Sequence, residues 1–203
     1  MKQNSMILIG LTGGIGTGKS TVSKVFKENN IPVVDADFIS RKVLTAHPEI
    51  LLKIKEKFGG DFFDEEGNLL RRKVGNLIFS DLEKKKEYED IVIPYVKNDI
   101  YKEIDEYHNN NEKICVVDAP TLIETGLYSD MDIVVVVSVK DEIQVRRVMA
   151  RDGFSREEAL LRISNQMSTI EKCKYADFII DNNGSIENTR KQVKDFLNKL
   201  QIL

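Results

Sequence analysis

Met6-Ile-Leu-Ile-Gly10-Leu-Thr-Gly-Gly-Ile15-Gly-Thr-Gly-Lys-Ser20-Thr21 decides the fold. Its first half, Met6 to Leu11, is a short apolar run bounded by glycine and reads as a buried strand. Gly13, four residues, then Gly18, Lys19 and Ser20 match the phosphate-loop spacing, and a helical pattern follows at once. Glycines let the backbone curl so that successive N–H groups, from Gly14 through Ile15, Gly16, Thr17 and Gly18 to Thr21, point at phosphate oxygens. The positive end of the following helix adds its dipole. Lys19 then supplies a point charge for the β/γ-phosphates of ATP, and the Ser20 hydroxyl a ligand for Mg²⁺.

The composition bounds the rest. The 203 residues suit one α/β domain with an insertion, and 41% hydrophobic against 31% charged residues is ordinary for a globular protein. A net charge of −3 gives no support to a nucleic-acid partner. Cys115 and Cys173 are far apart and suggest neither disulfide nor metal site. His47 and His108 read as solvated surface residues. Lys2 ahead of Met6 superficially resembles a signal peptide, but the apolar run is too short and enters the phosphate loop. No run is long enough to span a membrane, so the expectation is a cytoplasmic protein.

Outward from the loop, Val22, Val25 and Phe26 form a helical stripe, with Asn29-Asn30 as its stop. Ile31 to Val34 is a second strand ending in Asp35-Ala36-Asp37. A carboxylate there lies on the ligand-binding edge of an open α/β sheet. Asp37 fits two roles, cap of a helix starting near Phe38 or catalytic carboxylate, and it shares a face with Arg41. From Pro48 to Tyr107 the pattern is helical, with stripes Leu51/Ile54/Phe58, Val74/Leu77/Ile78 and Val96/Ile100/Ile104. This insertion reads as a substrate-binding subdomain. Lys113 to Asp118 is a third strand whose terminal acid fits a Mg²⁺ site, directly or through water. Asp132 to Val137 and Asp177 to Ile180 are the fourth and fifth strands. Between them lie Arg146, Arg147, Arg151, Arg156 and Arg162, and Ser155 with Glu158 fits a capping box. Arginines are needed over a transferring phosphoryl group; a solvated helical hairpin is the better reading of any one of them, but at least one of the five is expected to touch phosphate.

Strands alternating with helices predict a three-layer α/β/α phosphate-loop (P-loop) fold around a five-stranded parallel sheet. The expected division of residues 1–203 is a nucleotide core (about 1–47, 112–143 and 170–203), a helical subdomain (about 48–111) and a lid (about 144–169). A GTPase would carry Asn-Lys-x-Asp, whereas Asn198-Lys-Leu-Gln lacks the acid. Asp64-Glu-Glu-Gly67 fits the looser GTPase tetrapeptide but falls in the insertion. A small-molecule kinase fits the size, insertion and arginine-rich segment; a nucleotide-dependent switch is the alternative from another class.

The chain resembles the dephospho-coenzyme A kinase family. The similarity lies in Gly10 to Thr21, Val34 to Arg41, Gly67 to Arg71, Val117 to Leu127, Gln144 with Arg147 and Arg151, and Ala176 to Asn183. The resemblance implies MgATP-dependent phosphorylation of the ribose 3′-hydroxyl of dephospho-CoA, the last step of CoA synthesis. Nothing in the sequence indicates an obligate protein partner, and the expectation is a monomer. The resemblance further implies Asp37 as base, with Lys19 and Arg147 as the other catalytic groups, and Asn183 with Arg147 at ATP. It places Thr12, Asp37, Arg41, Arg71 and Glu124 at the acceptor, and Ser20 and Asp118 at the metal. Ile93-Pro94 departs from the family's usual His-Pro, and Thr121 and Ile123 from its usual leucine and phenylalanine.

Overall fold

The computed structural model describes residues 6–200; Lys2, which prompted the signal-peptide comparison, lies outside them. Five strands form one parallel sheet in the order β2-β3-β1-β4-β5. They are β1 (Ile7–Thr12), β2 (Val33–Asp35), β3 (Ile114–Asp118), β4 (Ile133–Ser138) and β5 (Phe178–Asp181). The five apolar runs of the sequence thus become the five strands, displaced by one or two residues. β1 lies at the centre, flanked by β3 and β4, so the phosphate-loop strand is shielded on both edges. The register pairs Leu11 with Asp118 and Asp35 with Asp118, which brings the two acids to one level at the C-terminal edge.

The chain divides into two units, residues 1–35 with 103–203, and residues 36–102. In the sheet unit, Ile9, Leu11, Val116, Val135, Val137 and Ile180 pack with Val22, Val25 and Phe26 of α1 (Lys19–Glu28) and with Val193, Phe196 and Leu197 of α9 (Ile186–Lys199). The opposite parity of β1 brings Gly10 against the segment after β3. A Cβ on Gly10 would lie 2.6 Å from Leu122 and 2.7 Å from Met131, so only glycine allows that approach. The helix α1 ends at Asn29 and Asn30, the latter at φ 57°, where the asparagine pair stops it.

The helical unit holds α2 (Ala36–Ala46), α3 (Glu49–Phe58), α4 (Arg71–Ser80) and the first part of α5 (Leu82–Asn109). Val43, Ile50, Ile54 and Val92 form its core, with Leu44, Phe58, Phe63, Leu69, Tyr88 and Tyr95 around them. α2 contributes Val43 and Leu44 to this core and so belongs to the helical unit, which begins at Ala36 and not near Pro48. The sequence start near Phe38 is also corrected: the helix opens at Ala36, so Asp37 sits in its first turn and is not its cap. Asp64-Glu-Glu-Gly67 is a turn closing the Phe63↔Leu69 bridge. Asp64 Oδ1 accepts the Glu66 and Asn68 N–H groups, and Gly67 turns at φ 83°. That geometry accounts for the tetrapeptide without a nucleotide.

After β4 come α6 (Asp141–Asp152), α7 (Arg156–Ser164) and the one-turn α8 (Thr169–Cys173). The capping box at Ser155 is complete: its Oγ accepts the Glu158 N–H at 3.2 Å, and Glu158 Oε2 accepts the Ser155 N–H at 2.8 Å. Val145, Val148 and Ala159 form a small separate core with Ile15 of the phosphate loop packed on it.

Candidate active site

The phosphate loop is held by its own backbone first. Thr17 is buried, and its Oγ1 donates to Gly14 O at 2.8 Å while its N–H reaches the same carbonyl at 3.1 Å. Gly16 and Gly18 turn at φ 78° and 91°, the left-handed region open to glycine. Thr21 N–H closes on Gly18 O at 2.9 Å, which starts α1. Lys19 and Ser20 are therefore its first two residues, at the positive end of the helix.

Lys19 Nζ forms an ion pair with Asp118 Oδ1, so the two phosphate-site signatures converge. Asp118 is buried at the end of β3, whereas Ser20 is exposed. One carboxylate and one hydroxyl suit Mg²⁺, which keeps several waters and takes further oxygens from substrate phosphates. Among the described residues no cluster of three or more His, Cys, Asp or Glu side chains could hold a metal unaided. The donor set therefore fits an ion that arrives with a nucleotide.

Two glutamines grip Ile15 from opposite sides. Gln144 Nε2 donates to Ile15 O at 2.8 Å, and Ile15 N–H donates to Gln166 Oε1 at 2.8 Å. Arg147, one turn along α6, donates to Thr17 O at 3.4 Å and to Asn182 O at 2.9 Å. Of the five arginines between β4 and β5, Arg147 is the one bonded to the loop. Arg151 forms a two-pronged pair with Asp152, and Arg162 lies over the Phe154 ring at 5.3 Å. Arg146 and Arg156 are exposed.

The asparagine at the loop is Asn182. Its Nδ2 donates to Thr17 O at 2.7 Å, and its Oδ1 accepts the Thr189 hydroxyl at 2.6 Å. Asn183 instead accepts the Lys140 N–H through Oδ1 at 2.8 Å. Adjacent residues past a strand end face different partners, and sequence alone does not say which one turns inward. Thr12 is buried at the end of β1, its hydroxyl donating to Pro120 O at 3.1 Å. Glu124 meets Lys172, a residue that sequence reasoning missed. The Lys172 ammonium is fully buried and donates to both Glu124 oxygens, at 2.8 and 2.6 Å, and to Pro120 O at 2.8 Å. Burial pushes this lysine below its usual range against the opposing pull of Glu124.

The remaining residues lie in the helical unit. Arg41 Nε donates to Asp37 O at 3.1 Å, and both residues are exposed on α2. Arg71 opens α4 beside an open surface groove of about 530 Å³ lined by Leu69, Leu70, Arg71, Arg72, Lys73 and Asn76. Three cations on an apolar floor suit an anionic ligand with a nonpolar part.

Comparison with known proteins identifies the family. The family model described as dephospho-CoA kinase matches residues 7–188. A dephospho-CoA kinase of Clostridium perfringens is 47% identical over 192 residues, covering 95% of this chain and 96% of that protein. Among solved structures, a Thermus thermophilus protein superposes with a TM-score of 0.82 at 34% identity, covering 96% of this chain and 98% of that one. A dephospho-CoA kinase from Campylobacter jejuni gives 0.70 at 28% identity, covering 95% and 96%. The chain is a kinase, and it belongs to the dephospho-CoA kinase family.

Proposed function

We propose that this chain transfers the γ-phosphoryl group of ATP to the ribose 3′-hydroxyl of dephospho-CoA, giving CoA and ADP in the last step of CoA synthesis. The observation that carries the reading is the convergence of Lys19 and Asp118 beneath a phosphate loop bonded to Arg147. When MgATP binds, Lys19 exchanges its carboxylate for the β/γ-phosphate oxygens. Ser20 and Asp118 are the residues that would hold Mg²⁺, which would supply neutralisation of the phosphate charge. The 3′-oxygen attacks the γ-phosphorus as the bond to the β,γ-bridging oxygen breaks, and Asp37 takes the hydroxyl proton. Arg147 faces the charge that develops on the equatorial oxygens.

Asp37 is supported by its place two residues beyond the C-terminal end of β2, in the first turn of α2. Asp35, the rival, ends the strand itself in register with Asp118. Arg41 and Arg71, with the open cationic groove beside Arg71, are proposed as contacts to the anionic acceptor, and Thr12 as a group that positions it. The proposal includes a monomeric cytoplasmic enzyme without nucleic-acid or membrane partners; no described helix is long and apolar enough to cross a membrane. A coupled ADP-release assay across dephospho-CoA, adenosine and the common nucleoside monophosphates tests the substrate. Dephospho-CoA should give the highest kcat/KM without any added protein. Preference for a nucleoside or nucleotide, or turnover only with a protein partner, would replace this reading.

A further inference from the structure

The Glu124–Lys172 pair lies outside the phosphate machinery and joins three segments that the chain brings together from far apart. All three protons of the Lys172 ammonium go to acceptors on one short segment, Pro120 O and the two Glu124 oxygens. That segment follows Asp118 directly. Pro120 O also accepts the Thr12 hydroxyl at 3.1 Å, which ties it to the end of β1. Glu124 Oε1 accepts in addition the Met167 N–H at 3.2 Å, in the link between α7 and α8. The neighbouring residue, Gln166, is the one whose Oε1 takes the Ile15 N–H of the phosphate loop. A chain of bonds thus runs from Lys172 through Glu124, Met167 and Gln166 to Ile15.

A buried lysine without its partner is strongly unfavourable, so this arrangement has one stable geometry. The carboxylate must stay where the ammonium is, and the Met167 amide is placed by the carboxylate. Glu124 retains a side chain 25% exposed, yet both its oxygens are bonded within the protein. A carboxylate so engaged is better suited to holding a link in place than to greeting an acceptor.

We infer that Lys172 and Glu124 are positioning residues: together they latch the α7–α8 link so that Gln166 fixes the Ile15 amide, and they act on phosphoryl transfer without touching the acceptor. The inference rests on the proposed reaction with dephospho-CoA for its kinetic arm only. It reassigns Glu124 from the acceptor-binding role that family resemblance implies.

The test uses the full chain as K172M, K172M/E124Q and Q166A, with steady-state kinetics and hydrogen exchange of the peptides containing Ile15 and Met167. In K172M, kcat should fall about 10- to 100-fold, the scale of a small misplacement remote from the chemistry. KM for dephospho-CoA should stay within about 3-fold, because no acceptor contact is lost. Exchange should quicken at Met167 and Ile15 in K172M, but at Ile15 alone in Q166A. The double variant should be no worse than K172M, since both changes break one latch. It removes both charges and provides the same reading should K172M fail to fold. Wild-type kcat with unchanged exchange at Met167, in either folded variant, overturns the latch. So does a dephospho-CoA KM about 10-fold higher in the double variant than in K172M, the mark of a direct acceptor contact by Glu124. Exchange is read without substrate, so a wild-type protein inactive on dephospho-CoA would refute the proposed function and leave the latch to be judged by its exchange pattern.

Discussion

A secondary alcohol is a poor nucleophile until its proton is accepted, and this makes Asp37, the proposed base, the side chain to test first. Asp37→Asn keeps the shape of the first turn of α2 and removes the proton acceptor. It should lower kcat roughly 10²–10⁴-fold with ATP affinity nearly unchanged. Activity in Asp37→Asn combined with inactivity in Asp35→Asn would transfer the role to the strand-end acid. Arg147 is bonded to Thr17 O and Asn182 O, so its removal takes away two bonds at the loop as well as the proposed contact to the transition state. Arg147→Ala should lose on the order of 10²-fold or more in kcat, and lysine should not restore it, because one ammonium cannot reproduce the two-directional fork. Wild-type turnover in a folded Arg147→Ala protein would remove it from the mechanism. At this scale the sequence was legible where spacing carries chemistry: Lys19 and Asp118, from motifs 99 residues apart, pair in the fold. It was silent on Lys172, which sits between Glu171 and Cys173 in a polar stretch and looks like any exposed lysine. Its burial follows from where the 120–124 segment falls, a fact of tertiary structure. Asn182 and Asn183 illustrate the same limit, since both are asparagines and only the turn geometry decides which faces Thr17.

Among the elements, the strands were the most legible because a parallel sheet buried on both faces demands continuous apolar runs. Boundaries in the insertion were less so. α5 extends from Leu82 through Pro94 to Asn109, whereas the apolar stripe visible in sequence starts at Val96. Proline removes one helix hydrogen bond. Val92, Tyr88 and Tyr95, on either side of it, pack into the core of the helical unit and offset that loss. The same unit contains a testable ionic contact between elements. His47 follows α2, and its Nε2 lies 2.7 Å from Asp99 Oδ2 on α5, with the ring 5.1 Å from that of Tyr95. Burial alone would raise the Asp99 carboxyl, but the bonds from His47 and Lys102 outweigh it and hold the group below its ordinary value of 3.8. A depressed carboxyl stabilises the fold above that ordinary value and loses the contribution as pH falls through the lower, folded one. The difference in Tm between wild type and Asp99→Asn should therefore be greater above the ordinary carboxyl value of 3.8 and shrink as pH falls below it. A difference independent of pH across that value would show that the ionised carboxylate is not what matters.

For the whole molecule, fold and function are separable claims. The α/β sheet is shared with other phosphate-loop kinases, so the sheet alone does not distinguish this enzyme. If residues 36–102 bind the acceptor, saturating dephospho-CoA should slow hydrogen exchange across α3, α4 and the first half of α5. Unchanged protection there would count against acceptor binding by this unit. The order of motifs along the chain made the family legible, because each later motif is weak alone and their sequence is not. What the sequence withheld were the side-chain bonds that hold the phosphate loop, Gln144 and Gln166 on Ile15 among them. The central claim is the transfer itself, and isotope transfer reads it most directly. With ATP labelled in its γ-phosphoryl group, the full chain and dephospho-CoA, the label should appear as a 3′-phosphate on CoA, one for each ADP formed. Label recovered only as inorganic phosphate, or attached at any other position of the acceptor, would contradict it.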